Sequence, residues 1–429
     1  MELCQRQGTP PAVQSPVPPP SPPPVSCCHG QAIRVPESMT DVAVPNPPSG
    51  VDETPAHMPQ LDALRAFAVA SVAYMHWMPK QYQYGLPFGS AGVQLFFVLS
   101  GFLITSILVQ CRQATDRSFA LRNFYARRFL RIFPLYYSVV AVAWILDLGQ
   151  MRSTVLWHLC YLSNIHFFLD QSWGRSLSHF WSLSVEEQFY LFWPVVVLFC
   201  RGKDLVFWCL ALCGVGLLSN LCLPWLFPGT KLLNVLPNSN FFALGLGGLL
   251  AMRPASPTLL RRLLAWSAVA LPIFVIVAAA MVAGVRFRGI GQLRSLSMIV
   301  GFFWLIGRAS VGFNGWAGRV LTLPILVFLG RISYGIYILH NFSDWPVNLF
   351  CQRVFGTTDL TLFQRIPLKT IATLMGASVS WFCLERPLSR LKSRIPYRRN
   401  TTVGTQSPET EPPTIPPTAS FAQLQGRPT

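Results

Sequence analysis

Arg65 and His76 lie eleven positions apart inside one apolar stretch, Leu61 to Pro79, LDALRAFAVASVAYMHWMP. Eleven helical steps of about 100° return to within roughly 20° of the start, so both side chains project from one face, roughly 16 Å apart along the axis. Ionisable groups inside a bilayer are costly and by default mark functional sites. Two on one face imply chemistry with one component near the membrane surface and another deeper in. Taken singly, each has a plainer reading: Arg65 snorkels to lipid headgroups, and His76 is a satisfied interfacial histidine beside Trp77. Asp62, one turn before Arg65, is placed to pair with it.

Four further constellations carry chemistry-bearing residues. The run Arg127-Arg128-Phe129-Leu130-Arg131-Ile132-Phe133-Pro134 is either an ordinary cytoplasmic topology signal or a phosphate site, since the planar guanidinium fork suits phosphate oxygens. The block from His179 to Tyr190, HFWSLSVEEQFY, brings two carboxylates to the start of a spanning helix. Ser184 and Glu187 have capping-box spacing, which leaves Glu186 unexplained. A carboxylate facing the bundle would hold a histidine in one tautomer and raise its basicity. Gly92 to Phe102, GVQLFFVLSGF, reads as a close-packing helix face. Arg331 to His340, RISYGIYILH, with Asp344 beyond it, again places an Arg and a His where a polar cavity is implied. The sequence has no Walker loop, no GxSxG and no metal-binding cluster.

The elements that must position these residues are spanning helices. The 429 residues are 52% hydrophobic and 12% charged, with a net charge of +17, against about 25% charged in a soluble domain. That composition gives an all-α, polytopic membrane bundle. The positive charge sits mostly in short loops beside apolar segments, so the positive-inside bias explains it without nucleic acid. Ten spans are expected, near 61–79, 91–110, 132–148, 185–200, 204–223, 238–252, 263–284, 293–308, 320–342 and 366–385, with kinks at Pro194, Pro272 and Pro324. Residues 154–168, with His158, Asn164 and His166, read as an interfacial or re-entrant piece. Residues 1–57 hold 14 of the 36 prolines and no apolar run, so a disordered tail is expected there, and a second at 397–429. Residues 58–396 form the membrane domain. The loop charges put both termini in the cytoplasm, with the loop carrying Arg286, Arg288 and Arg294 the one exception.

In order, these blocks resemble acyltransferase family 3, bacterial integral-membrane O-acyltransferases of surface glycans. Leu61-Asp62-x-Leu64-Arg65 followed by His76 is similar to the family's Arg-x10-His helix, GVQLFFVLSGF to its second-helix block, and Arg128 with Arg131 to its Arg-x-x-Arg block. HFWSLSVEEQFYLFWP is similar to its acidic block, and RISYGIYILH with Glu385-Arg386-Pro387 to its last two helices. The sequence departs from the family's pattern at Gln94, where an acidic residue is common, and at His340-Asn341-Phe342, where Trp before the His and Pro after it are frequent.

The resemblance implies an acyl-CoA donor, usually acetyl-CoA, used as substrate at the cytoplasmic side, with no permanently bound cofactor and no metal. It implies a carbohydrate acceptor, a hydroxyl of a lipid-linked or extracytoplasmic glycan such as O-antigen lipopolysaccharide or exopolysaccharide, at the bacterial inner membrane. Arg65, Arg128 and Arg131 would hold the donor phosphates. His76 would act as general base or carry the acyl group, oriented by Glu186 or by Glu187. Asp62, His179, Tyr190, Arg331 and His340 would complete a polar cavity. No hydrolase-like domain follows in this sequence, so the membrane domain or a separate partner would finish the transfer. The competing class is a transporter or exporter of a glycan or lipid with a buried Arg/His/Glu relay.

Overall fold

A computed structural model describes residues 58–252 and 257–397. The tails expected at 1–57 and beyond 397 lie outside the described residues. Among the described residues the chain is helical and contains no strand, one of the two ways a backbone in lipid can satisfy all its hydrogen bonds.

Helix α1 (Pro59–Trp77) carries both Arg65 and His76, and Pro59 stands in its first turn, where its missing N–H costs nothing. Then come α2 (Phe88–Cys111) and α3 (Arg117–Ile145). The latter is capped by Asp116, whose side chain accepts from the Phe119 N–H at 2.8 Å. Two short helices, α4 (Met151–Leu159) and α5 (Ser163–Asp170), occupy the segment read as interfacial. The chain continues through α6 (Phe180–Phe199), α7 (Leu205–Leu226), α8 (Pro237–Ala251), α9 (Pro257–Ser267), α10 (Ala270–Val282), α11 (Ile290–Ala309) and α12 (Gly315–Leu321). It closes with α13 (Pro324–Arg331), α14 (Ser333–Leu339), α15 (Asp344–Phe355), α16 (Leu362–Ser380), a π-helical turn (Trp381–Glu385) and α17 (Arg386–Arg390).

Among the described residues, six segments are fit by length and hydropathy to cross a membrane, and a pair bent by 58°, α13 with α14 and the turn after it, makes seven. The expected count of about ten is not confirmed. Helices α1, α6 and α8 fall where spans were expected. However, α8 has only 15 residues, and α1 and α6 are diluted by polar residues, Asp62 and Arg65 on one, Glu186 and Glu187 on the other. Two of the helices that carry candidate chemistry, α1 and α6, are thus among those whose apolar signal falls short.

Three local expectations are corrected. Pro324 does not kink a helix but starts α13, and the break in that expected span falls at Ile332. Helix α6 begins at Phe180, four residues before Ser184. Ser184 is therefore interior to the helix, its hydroxyl buried without a partner, and the capping box with Glu187 does not form.

Helix α1 is gripped between two neighbours at glycines. A Cβ on Gly92 of α2 would fall 2.3 Å from the Ala68 carbonyl oxygen. One on Gly330 of α13 would fall 1.8 Å from the Asp62 carbonyl oxygen. Gly101 lies as tightly on the Leu244 carbonyl of α8, so the small residues of the second-helix block do serve close packing.

Candidate active site

At the Arg65 end of α1 the helices enclose a cavity of about 110 Å³. Arg65 enters it from α1, held by Asp62 in an ion pair of 2.8 Å. Arg128, Arg131 and Ile132 enter from α3, at the i, i+3 and i+4 positions that share a helical face. Ser182, Glu186 and Tyr190, spaced by four, enter from α6 with Glu187 beside them, and Ser100 enters from α2. Tyr334 and Tyr337 close it from α14.

The polar groups form a chain. The Tyr190 hydroxyl donates to Ser100 Oγ at 3.1 Å, and Ser100 donates to Glu186 Oε1 at 2.7 Å. The Arg128 guanidinium lies over the Tyr190 and Phe124 rings at 5.3 and 5.6 Å, a favourable cation–π geometry. Arg131 lines the cavity beside Arg65, Arg128 and Glu385, and part of its surface is exposed. Glu385 ends the π-helical turn and accepts from Ser380 Oγ at 3.0 Å. Inserted π turns recur at functional sites.

At the other end of α1, His76 meets two more histidines. Its ring centroid lies 5.1 Å from that of His340, edge to face, and His340 lies 4.9 Å from His179. Their tautomers follow from their partners. His340 Nδ1 lies 2.6 Å from the Tyr337 carbonyl oxygen, which only accepts, so Nδ1 carries the proton. Its Nε2 is then a bare lone pair, buried and without a hydrogen-bond partner. His179 Nε2 donates to the Ile338 carbonyl at 3.1 Å, and its Nδ1 accepts from Asn341 Nδ2 at 3.1 Å. The Trp77 indole N–H and Ser343 Oγ both donate to the His340 carbonyl, at 3.0 and 2.6 Å. Lys369 of α16, bonded to Asp344 at 2.8 Å, lies 5.6 Å from the Trp77 ring.

Tyr337 stands between cavity and histidines. Its hydroxyl pairs with Ser182 Oγ at 2.5 Å and reaches the His179 carbonyl at 3.2 Å, while its ring lies 5.7 Å from both His179 and His340.

The structure thus brings Arg65, Arg128, Arg131, Glu186, Glu187 and Tyr190 to one cavity, and His76, His179 and His340 to one cluster. It does not bring Glu186 to His76. Glu186 is bonded to Ser100, and His340 is the side chain whose ring meets His76. Asp62 does not line the cavity and holds Arg65, which does. Arg331 lies exposed at the bend and does not line the cavity. Sequence reasoning passed over Tyr337 and Lys369. The first was legible as the residue three before His340, on the same helical face. The second was legible as a lone cation inside an apolar stretch, flagged by the same rule that singled out Arg65.

A helical membrane domain with a cation- and carboxylate-lined cavity at one end of a helix and histidines at the other fits group transfer across a membrane boundary. The chain belongs to acyltransferase family 3: residues 58–385 match the family's acyltransferase domain. It is similar to peptidoglycan O-acetyltransferase OatA of Listeria monocytogenes, 29% identical over 360 residues that cover 78% of this chain and 56% of that protein. It is similar to YrhL of Bacillus subtilis, 30% identical, covering 77% and 55%, and to O-acetyltransferase OatA of Staphylococcus aureus, 25% identical, covering 79% and 58%. The chain spans about half the length of the curated relatives it matches. No solved structure matches the chain.

Proposed function

We propose that the chain moves an acetyl group from acetyl-CoA, taken up at the Arg65 end of α1, to a hydroxyl of a cell-envelope glycan at the His76 end. Peptidoglycan, named in two of these relatives, joins O-antigen and exopolysaccharide as acceptor classes to test. Both termini would face the cytoplasm in the inner membrane. One observation carries the reading: Arg65 and His76 share one unbroken helix face, and each is met at its own end by a separate cluster of polar side chains. Family membership weighs against the transport alternative.

The cavity is small beside the roughly 300–1,000 Å³ of a site for a drug-sized ligand. It suits the thin pantetheine arm, whose thioester end would reach on towards the histidines, with the nucleotide left outside and the donor phosphates drawn by the arginines. Transfer then proceeds at the histidines. The acceptor oxygen attacks the thioester carbonyl as His76 takes the hydroxyl proton, the carbon–sulfur bond breaks, and the CoA sulfur leaves and recovers a proton. In the two-step variant the His76 ring nitrogen attacks first and carries the acetyl group to the acceptor. His340 Nε2, without a partner in the structure, would accept from an N–H of the His76 ring and turn the other ring nitrogen towards the acceptor. In this reading Glu186 tunes the cavity through Ser100 and Tyr190, not His76 directly.

The test incubates membranes with acetyl-labelled acetyl-CoA and each glycan. Label should reach a glycan with the wild-type chain and be lost in His76→Ala at equal membrane content. Transfer by His76→Ala at the wild-type rate would overturn the assignment.

A further inference from the structure

We propose that the cleft between α9 and α11 binds an anionic phospholipid, with its phosphodiester between Arg261 and Arg308. The cleft has a volume of about 620 Å³ and is lined by Arg261, Leu264 and Ala265 of α9 and by Trp304, Gly307, Arg308 and Val311 on and just beyond α11. Arg261, Leu264 and Ala265 fall at i, i+3 and i+4, and the other four at i, i+3, i+4 and i+7, so each helix turns one face into it. Leu264 closes the floor against Gly307, where a Cβ would fall 2.4 Å from Leu264 Cδ2. The apolar wall continues into two exposed guanidinium groups.

Charge selects the occupant. Neither Arg261 nor Arg308 has a carboxylate partner among the described residues, and the sequence contains no Asp or Glu between Asp204 and Asp344. Two guanidinium forks beside an apolar wall match a phosphodiester with a hydrocarbon chain. A zwitterionic headgroup would bring an ammonium to a place that offers it no anion. Trp304 and Phe313, with ring centroids 6.1 Å apart, and Arg308 5.9 Å from the Phe313 ring, give the rim an aromatic character suited to headgroup depth. The loop charges put both arginines on the cytoplasmic side, where anionic lipids attract cations. Nothing here depends on the acyl-transfer reading.

The experiment uses the full chain, purified in micelles carrying equal phosphatidylglycerol and phosphatidylethanolamine. Co-purified lipid is quantified by mass spectrometry. Each cation near a charged surface favours anionic lipid roughly five-fold, so the pair contributes roughly 30-fold. Wild type should retain phosphatidylglycerol preferentially. Arg261→Gln with Arg308→Gln should lose that preference, and Arg261→Lys with Arg308→Lys should keep most of it. A melting curve in the same micelles confirms that each variant is folded. An unchanged lipid ratio in the Gln variant would overturn the proposal. Displacement of bound phosphatidylglycerol by inorganic phosphate would overturn it too, by making the site one for a free anion.

Discussion

Substituting Gly330 by Ala tests whether the grip on α1 sets the geometry of the cavity. The added methyl would lie 1.8 Å from the Asp62 carbonyl oxygen, 2.4 Å from its carbon and 2.9 Å from its Cα. All three atoms are backbone, so no rotamer change relieves the contact. Ordinary contact begins at 3.4 Å, which requires α13 and α1 to part by about 1.6 Å. Asp62 holds Arg65 at 2.8 Å, and the displacement therefore moves the cation that reaches into the cavity. A misplacement of about 1 Å can cost roughly 10²-fold in rate, and overpacking of this kind costs about 1–3 kcal/mol of stability. The expected result in membranes is a roughly 10²-fold fall in kcat/KM for the acetyl donor, with a lowered but measurable melting midpoint. Gly214→Ala serves as control, because a Cβ there meets nothing within 4 Å. Wild-type kcat/KM in Gly330→Ala would refute the coupling between the α1–α13 crossing and the site.

Arg131→Ala should raise the donor KM roughly 10–100-fold, the loss of one charge-assisted hydrogen bond; an unchanged donor KM in initial-rate assays removes Arg131 from the site. His340→Asn keeps a donor near the Nδ1 position but deletes Nε2, so kcat should fall roughly 10²-fold with donor KM unchanged, and a variant with full kcat shows that His76 needs no partner there. Asp344→Asn leaves Lys369, 7% exposed, without its carboxylate, while Asp344 itself is 47% exposed. The cost lies between surface and buried pairs, about 1–3 kcal/mol. Thermal unfolding should show that loss, and its recovery when Lys369→Met is added.

The sequence by itself determined what is local. The eleven-residue spacing of Arg65 and His76 fixed their common face, because helical rise and turn are covalent and hydrogen-bond geometry. The same local rule paired Asp62 with Arg65 and put Arg128 and Arg131 on one side of α3. Ordered short blocks carried the family. The failures were also physical. Helices α1 and α6 hide from a hydropathy test because their polar residues turn inward. The expected span 320–342 breaks at Ile332, which no proline marked. Only the tertiary structure decided which side chain meets His76. That depends on how α2 and α13 cross α1, in backbone contact at Gly92 and Gly330, and on where the chain after α13 then carries His340, not on spacing along any one helix. The carboxylate nearest in the argument, Glu186, went to Ser100, and a histidine 264 positions away in sequence came to His76.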